Sequence, residues 1–327
     1  MHEGNAVRDF YASLAGPVVV GIEATGAMQW FLELLEELGI KWRVGHPAKI
    51  RAAETGKQKH DRRDAEVILD LLVMKDRFPD IWMPSTEQRD LRTLLRDRHQ
   101  WVKMRARLQH TLQAIALNHA LREGRALWTA AGRRALQDLA LPPYSDQRRD
   151  ELLARYTPLA KRIQQLDQQV ESEAQQRPRA RRLLTHPGVG PVTALATEVF
   201  LGDPTRLATA NQVASYIGMI PCEHSSGLSK EGNSLLRYLW TEATLHAAVK
   251  DPELKRFYRR KLVQKGMGKA RVATARKLGI RLWIMLRDEI DYEEFCRRGK
   301  LPQKGKAHAG MPAYNSGPAR AVTGSTE

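Results

Sequence analysis

The sequence predicts an α/β layer followed by a mainly α-helical remainder. Two observations carry this. An apolar strand–helix–strand–helix succession opens the chain, and beyond it apolar residues recur every three or four positions through long stretches with few turn residues.

Residues 17–24, PVVVGIEA, form a short β-branched run with the pattern of a buried strand. GAMQWFLELLEELG then takes helical spacing through Trp30, Leu34, Leu35 and Leu38, closed by Gly39 as a C-cap. KWRVGHP reads as a second strand, and Pro47 suits the first position of the next helix. A helix starting at Asp61 carries Val67, Ile68, Leu71 and Leu72 on one face.

From about residue 86 the character changes to long helices. Leu91, Leu94, Trp101, Leu108, Leu112 and Ile115 recur at helical spacing. Leu152, Tyr156, Leu159, Ile163, Leu166 and Val170 alternate by fours and threes, a heptad seam. Gly124 and LPPYSD punctuate the two, so an antiparallel helical coiled-coil arm is expected, with packing or dimerisation as its role.

ARRLLTHPGVGPVTALATEVF places a Pro-Gly-Val-Gly turn between two apolar helical stretches. This is the layout of a helix-hairpin-helix, whose hairpin amides and following helix N-terminus can hold a DNA phosphate; Gly188, Gly190 and Thr193 are its candidates. The plain alternative is a tight interhelical turn. Helices are expected next at about 209–217, 230–248, 252–264 and 269–289. KRFYRRKLVQKGMGKARVATARKLGIR is dense in cations, and Lys230, Arg259, Arg260, Lys269 and Arg271 are read as a phosphate-tracking surface rather than a merely solvated face. After Lys300 a Gly, Pro, Ala and Ser-rich tail is expected to be disordered.

The 327 residues carry 53 Lys and Arg against 37 Asp and Glu, a formal charge of +16, which favours a polyanionic partner over an acidic small molecule. No apolar run reaches the roughly 18 residues that span a bilayer, and the first residues lack a signal peptide's layout, so no membrane is expected and the location read is cytoplasmic. Cys222 and Cys296 are too few for a disulfide framework.

Asp61 and Asp64 stand at i and i+3, where a helix brings Cβ atoms roughly 5 to 6 Å apart on one face. Glu23 ends the first strand. Clustered carboxylates suit a hard divalent cation such as Mg²⁺ in phosphoryl transfer. Alternatively, Asp61 caps the helix and Asp64 complements its dipole. The strand-end position of Glu23 and the flanking Lys57, Lys59, Arg62 and Arg63 favour the metal.

In order, GIEATG, HPAKIRAAETGKQKHDRRDAE, a helical arm, LLTHPGVGPVTALATEVFLGDPTRLATANQVASYIGMIP, SSG and SKEGNSLLRYLWTEA resemble the DEDD transposases of insertion-sequence family one-ten, relatives of the Piv invertase. The resemblance covers roughly residues 17–290. It implies an incomplete RuvC-like, RNase H-type domain over 1–84 that binds Mg²⁺, a helical coiled-coil arm over 85–177, an all-α transposase domain with the helix-hairpin-helix over 178–299, and a tail over 300–327. It places the second, third and fourth acids on Glu23, Asp61 and Asp64, and a serine nucleophile on Ser226, with Ser225 as its rival. Glu223 and His224 are read as solvent-facing loop residues. The implied activity is recombination of element-end and target DNA, directed by a guide RNA, in a homo-oligomer joined through the arms.

The family's first acid lies on an earlier strand, and only 22 residues precede Glu23, so the chain is expected to be an N-terminally truncated copy, a copy whose start is misassigned, or a degenerate relative; Asp9 is not given the vacant role. Between Gly227 and SKEGN, Leu228 alone replaces a longer basic loop. Two alternatives remain at this point: a remnant that binds nucleic acid without cutting it, and a RuvC-like nuclease using water in place of serine.

Overall fold

β1 (Val19–Glu23) and β2 (Lys41–Gly45) pair in parallel, Val19 opposite Lys41 and Glu23 opposite Gly45, in a two-stranded sheet. The computed structural model in which they lie describes residues 5–53, 61–74, 77–220 and 232–300. It divides into two compact units between Arg89 and Asp90.

In the first unit, parallel pairing of β1 and β2 requires a crossover, and α2 (Gln29–Glu37) supplies it. Leu32, Leu34 and Leu35 are its buried residues, whereas Trp30, expected inside, is 48% exposed. Leu34 and Leu35 are common to the expected and observed stripes, and the exchange of Trp30 for Leu32 shifts the inward face by only a fraction of a turn. Gly39, just past the helix, has φ +67°, the left-handed conformation that ends it. α3 (Pro47–Ala53) starts on its proline, and α4 (Asp61–Val73) follows. α1 (Ala6–Ala12) precedes the sheet.

The second unit is helical. α5 (Thr86–Asn118) and α7 (Pro143–Gln176) run antiparallel: Arg98 Nε meets Asp167 Oδ1 and Gln109 Nε2 meets Tyr156 Oη, so partner numbers rise on one helix as they fall on the other. α7 buries Leu153, Tyr156, Leu159, Ile163, Leu166, Val170 and Ala174, the expected seam except that Leu153 replaces Leu152. At the far end, a 3-10 turn (Gly124–Trp128) and α6 (Ala130–Gln137) close the pair over Leu112, Ala116, Leu127, Leu136 and Leu153, where the sequence suggests only punctuation. At the near end, Leu91, Leu95, Val170 and Ala174 enter the main core.

That core is built by α8 (Pro178–Leu184), α9 (Pro191–Leu201), α10 (Ala210–Tyr216), α11 (Ser234–Lys250), α12 (Pro252–Arg287) and α13 (Tyr292–Lys300). Trp240 is buried and its indole donates to Thr197 Oγ1 at 2.9 Å, which satisfies the one polar atom of the ring. Gly279 makes room for it, since a Cβ there would stand 1.9 Å from the Trp240 ring. α12 is not straight. Gly266 has φ +74° and ψ 170°, and Lys277 and Arg281 both reach Glu253. Twenty-four residues of continuous helix would separate Glu253 from Lys277 by about 36 Å, so the chain folds back at Gly266 into two antiparallel limbs, 252–265 and 267–287. Among the described residues no helix is long and apolar enough to cross a membrane.

Candidate metal and nucleic-acid sites

α4 lies directly on β1. A Cβ at Gly21 would meet Leu72 Cδ1 at 2.5 Å and Ile68 Cγ2 at 2.6 Å, so glycine is what permits this approach. Side chains alternate along a strand, and Glu23, two residues beyond Gly21, emerges on the same face as that contact. On the helix, Val67, Ile68, Leu71 and Leu72 form the half-buried stripe, and Asp64 extends it by one turn, half-buried while Arg62, Arg63, Ala65 and Glu66 are exposed. The two carboxylates are thus carried on facing surfaces of one layer.

Neither Glu23 nor Asp64 has a cation partner among the described residues. Other acids of the unit do: Asp80 is held by Arg43 across the end of β2, with Nε to Oδ1 at 2.9 Å, and Glu66 is paired with Arg62 at 3.2 Å. Asp80 is therefore committed to structure. Carboxylates without ion-pair partners, on facing surfaces, suit a divalent cation's demand for oxygen ligands. Asp61 begins α4, but its side chain lies outside the described residues, and among those described no group of three His, Cys, Asp or Glu side chains converges. Lys57 and Lys59 also lie outside them.

In the second unit, α8 and α9 are joined by the Pro-Gly-Val-Gly turn. Gly188 has φ +87°, and a Cβ on it would stand 2.3 Å from the backbone nitrogen of Ala247; it is there for close packing on α11. Gly190 is different. It is the N-cap of α9, and a Cβ on it would meet nothing within 4 Å, so its backbone faces open space at a helix N-terminus. Thr193 is 8% exposed and its carbonyl accepts the Thr197 hydroxyl at 2.7 Å. His186, just before the turn, is fully buried, with Nδ1 3.0 Å from the Pro187 carbonyl oxygen and its ring against Tyr292; burial lowers its pKa to about 4.

Of the basic candidates, Arg259, Arg260 and Lys269 are exposed on the two limbs of α12. Arg271 is engaged instead: Nη2 meets Glu242 Oε1 at 2.6 Å and Nε donates to the Thr241 carbonyl at 3.2 Å. Ser225, Ser226, Lys230, Glu223 and His224 lie outside the described residues. Sequence reading passed over Arg256 and Arg276, which the fold-back of α12 brings to opposite walls of one recess. The only signal for them was membership of the cationic stretch, where every Lys and Arg looks alike.

Two family models match the chain. A DEDD transposase model of the IS110 type matches residues 3–120, which contain Glu23, Asp61 and Asp64. A model described as transposase IS116/IS110/IS902 family matches residues 180–259, from the turn through Ser226 to Arg259. The chain is 28% identical over 302 residues to a probable family 20 transposase of Pseudomonas aeruginosa, covering 88% of each. It is 27% identical over 309 residues to the transposase for insertion sequence element IS1111A of Coxiella burnetii, covering 87% of this chain and 83% of the other. With the transposase for IS1328 of Yersinia enterocolitica the identity is 23%, over 68% and 69% of the two chains.

Proposed function

From the premise that this chain belongs to the IS116/IS110/IS902 family of transposases, we propose that it recombines DNA at the ends of an insertion sequence through carboxylates on the first unit and a serine of the second. The observation that carries the reading is that the matches cover both segments in which the sequence concentrates its chemistry, 3–120 with the acids and 180–259 with the serine.

Glu23, Asp61 and Asp64 are the metal ligands in this reading, supported by the facing placement and lack of cation partners of Glu23 and Asp64. Bound Mg²⁺ would supply charge stabilisation to a pentacovalent phosphate. Ser226, with Ser225 as its rival, provides the nucleophile: its Oγ bonds to phosphorus, a ribose oxygen of the DNA leaves, and the serine proton passes to solvent or to that oxygen. The resulting phosphoserine keeps the energy of the broken bond available for strand exchange.

The chain's own surface supplies the grip. The formal charge of +16 and the exposed Arg259, Arg260 and Lys269 support binding of DNA and of a guide RNA through phosphates, and the open backbone at Gly190 supports a phosphate contact at the α8–α9 turn in the manner of a helix-hairpin-helix. Homo-oligomerisation through the arm as a coiled coil is supported by its middle, where α5 buries no residue between Leu95 and Leu112 and exposes Met104 beside Trp101.

The test is incubation of the purified chain with element-end DNA, the adjoining transcript and Mg²⁺, followed by a denaturing gel. A covalent protein–DNA species and joined products are expected, the former lost in Ser226→Ala and both in Asp64→Asn. DNA binding without either product would replace this reading with that of a binding protein.

A further inference from the structure

We propose that the recess enclosed by the two limbs of α12 and by α13 receives an unpaired base of single-stranded nucleic acid, with the flanking phosphates held by Arg256 and Arg276; this rests on the nucleic-acid-handling function proposed above. The recess has a volume of about 980 Å³, ample for one nucleotide, and it exists because Gly266 turns the first limb back along the second.

Its chemistry is divided. Phe257, Ile280, Ile284 and Phe295 make an apolar lining. Four of the charged groups that line it cancel: Asp251 and Glu253 are matched by Lys277 and Arg281, with Arg281 in contact with both acids. Two cations are left over. Arg276 donates to a neutral partner, Asn211 Oδ1, at 2.9 Å, and Arg256 is exposed with no acid partner among the described residues. An apolar hollow with two uncompensated guanidinium groups matches an amphipathic anion with a flat apolar body.

Among the anions such a protein meets, an unpaired nucleotide has that form. In a duplex the base faces are covered by their neighbours and only edges and phosphates remain, so an aromatic-lined hollow has nothing to receive. An unstacked base exposes both faces and gains from an aromatic surface, while its phosphates, one on either side, suit guanidinium forks. The wall residues come from 256–257, 276–284 and 295, and they converge only in the folded second unit.

The experiment compares fluorescence anisotropy of a labelled single-stranded oligonucleotide with that of its duplex, for the unaltered chain, for Arg256→Gln/Arg276→Gln and for Phe257→Leu. Each variant is expected to weaken single-strand binding by about fivefold or more while changing duplex binding less than about twofold. The arginine pair is at the surface and leaves the core intact; circular dichroism verifies the Phe257 variant. As a second readout, Cys296, which also lines the recess, is alkylated with a maleimide in a Cys222→Ser chain. Single strands should slow that reaction and duplex should not. Equal losses for both oligonucleotides, or single-strand binding that leaves Cys296 as reactive as before and is indifferent to the substitutions, overturns the inference and leaves the transposase reading standing. Failure to bind any nucleic acid overturns both.

Discussion

Arg281 and Asp251, thirty positions apart, form an ion pair in which the two side chains are only 5% and 2% exposed. Asp251 also caps the first turn of α12 by accepting the Leu254 N–H at 2.7 Å and accepts the Tyr292 hydroxyl at 2.8 Å. Burial alone would raise its pKa, but the hydrogen bonds from Leu254 and Tyr292 and the Arg281 charge outweigh it and hold the carboxyl below the usual aspartate range. One carboxylate thereby ties together the start of α12, its returning limb and α13.

Arg281→Met should cost about 3–5 kcal/mol in urea unfolding, because it leaves Asp251 buried without its counter-charge. Adding Asp251→Asn, which retains a capping oxygen, should recover a large part of that deficit. A double-mutant cycle in which the two effects simply add would show that the pair is not coupled.

Stability should also fall with pH through His186. Its folded pKa is about 4, against about 6.5 for an ordinary histidine. Between these values the unfolded chain takes up a proton and the folded chain does not, so the contribution is complete above about pH 6.5 and declines as the pH drops toward 4, by about 3 kcal/mol in all. Asp251 adds a decline in the same direction at lower pH, as the medium falls through its depressed pKa. Denaturant midpoints measured from pH 4 to 7 test this, and His186→Gln should flatten the slope.

The two glycines of the α8–α9 turn should separate structure from binding. Gly188→Ala puts a methyl group 2.3 Å from the Ala247 nitrogen at φ +87°, and should cost about 3 kcal/mol or more. Gly190→Ala meets open space and should change stability by less than about 0.5 kcal/mol, while weakening duplex binding if a phosphate approaches that backbone. Thermal melts beside filter binding distinguish the two.

Arg259→Gln/Arg260→Gln should reduce the slope of log affinity for DNA against log salt by about 2, since each arginine that no longer neutralises a phosphate lowers it by about 1. Arg271→Gln should change it much less, since that guanidinium already answers Glu242. A drop of about 1 in Arg271→Gln, half that of the double variant, would show that the Glu242 pair opens on binding.

The layer in the first unit was legible because its signals are local: a β-branched run, a glycine stop at Gly39, a proline start at Pro47. The break of α12 was legible too, since KGMG separates two helical patterns. Facing was harder to read. In QWFLELL five apolar residues compete for one stripe, and only packing decides that Leu32 goes inward and Trp30 outward. The same holds for Leu153 over Leu152. The candidate site was legible as residue types, and the resemblance supplied their roles. What the sequence withheld was partnership: that Arg271 has Glu242, that Arg43 holds Asp80, and that Gly188 serves α11. α13 and the helical end of the arm were hidden because their apolar residues are few and make sense only against distant chain.

The α5–α7 pair is sealed by apolar clusters at its two extremities, one shared with the main core and one its own, while α5 is nowhere fully covered between them. The tip cluster shares no residue with the main core, and it is expected to open on its own although the α7 seam continues between them. Amide protons around Leu127 and Leu136 should exchange through an opening that leaves those around Val170 shielded, so that the tip can melt and reseal while the root stays shut.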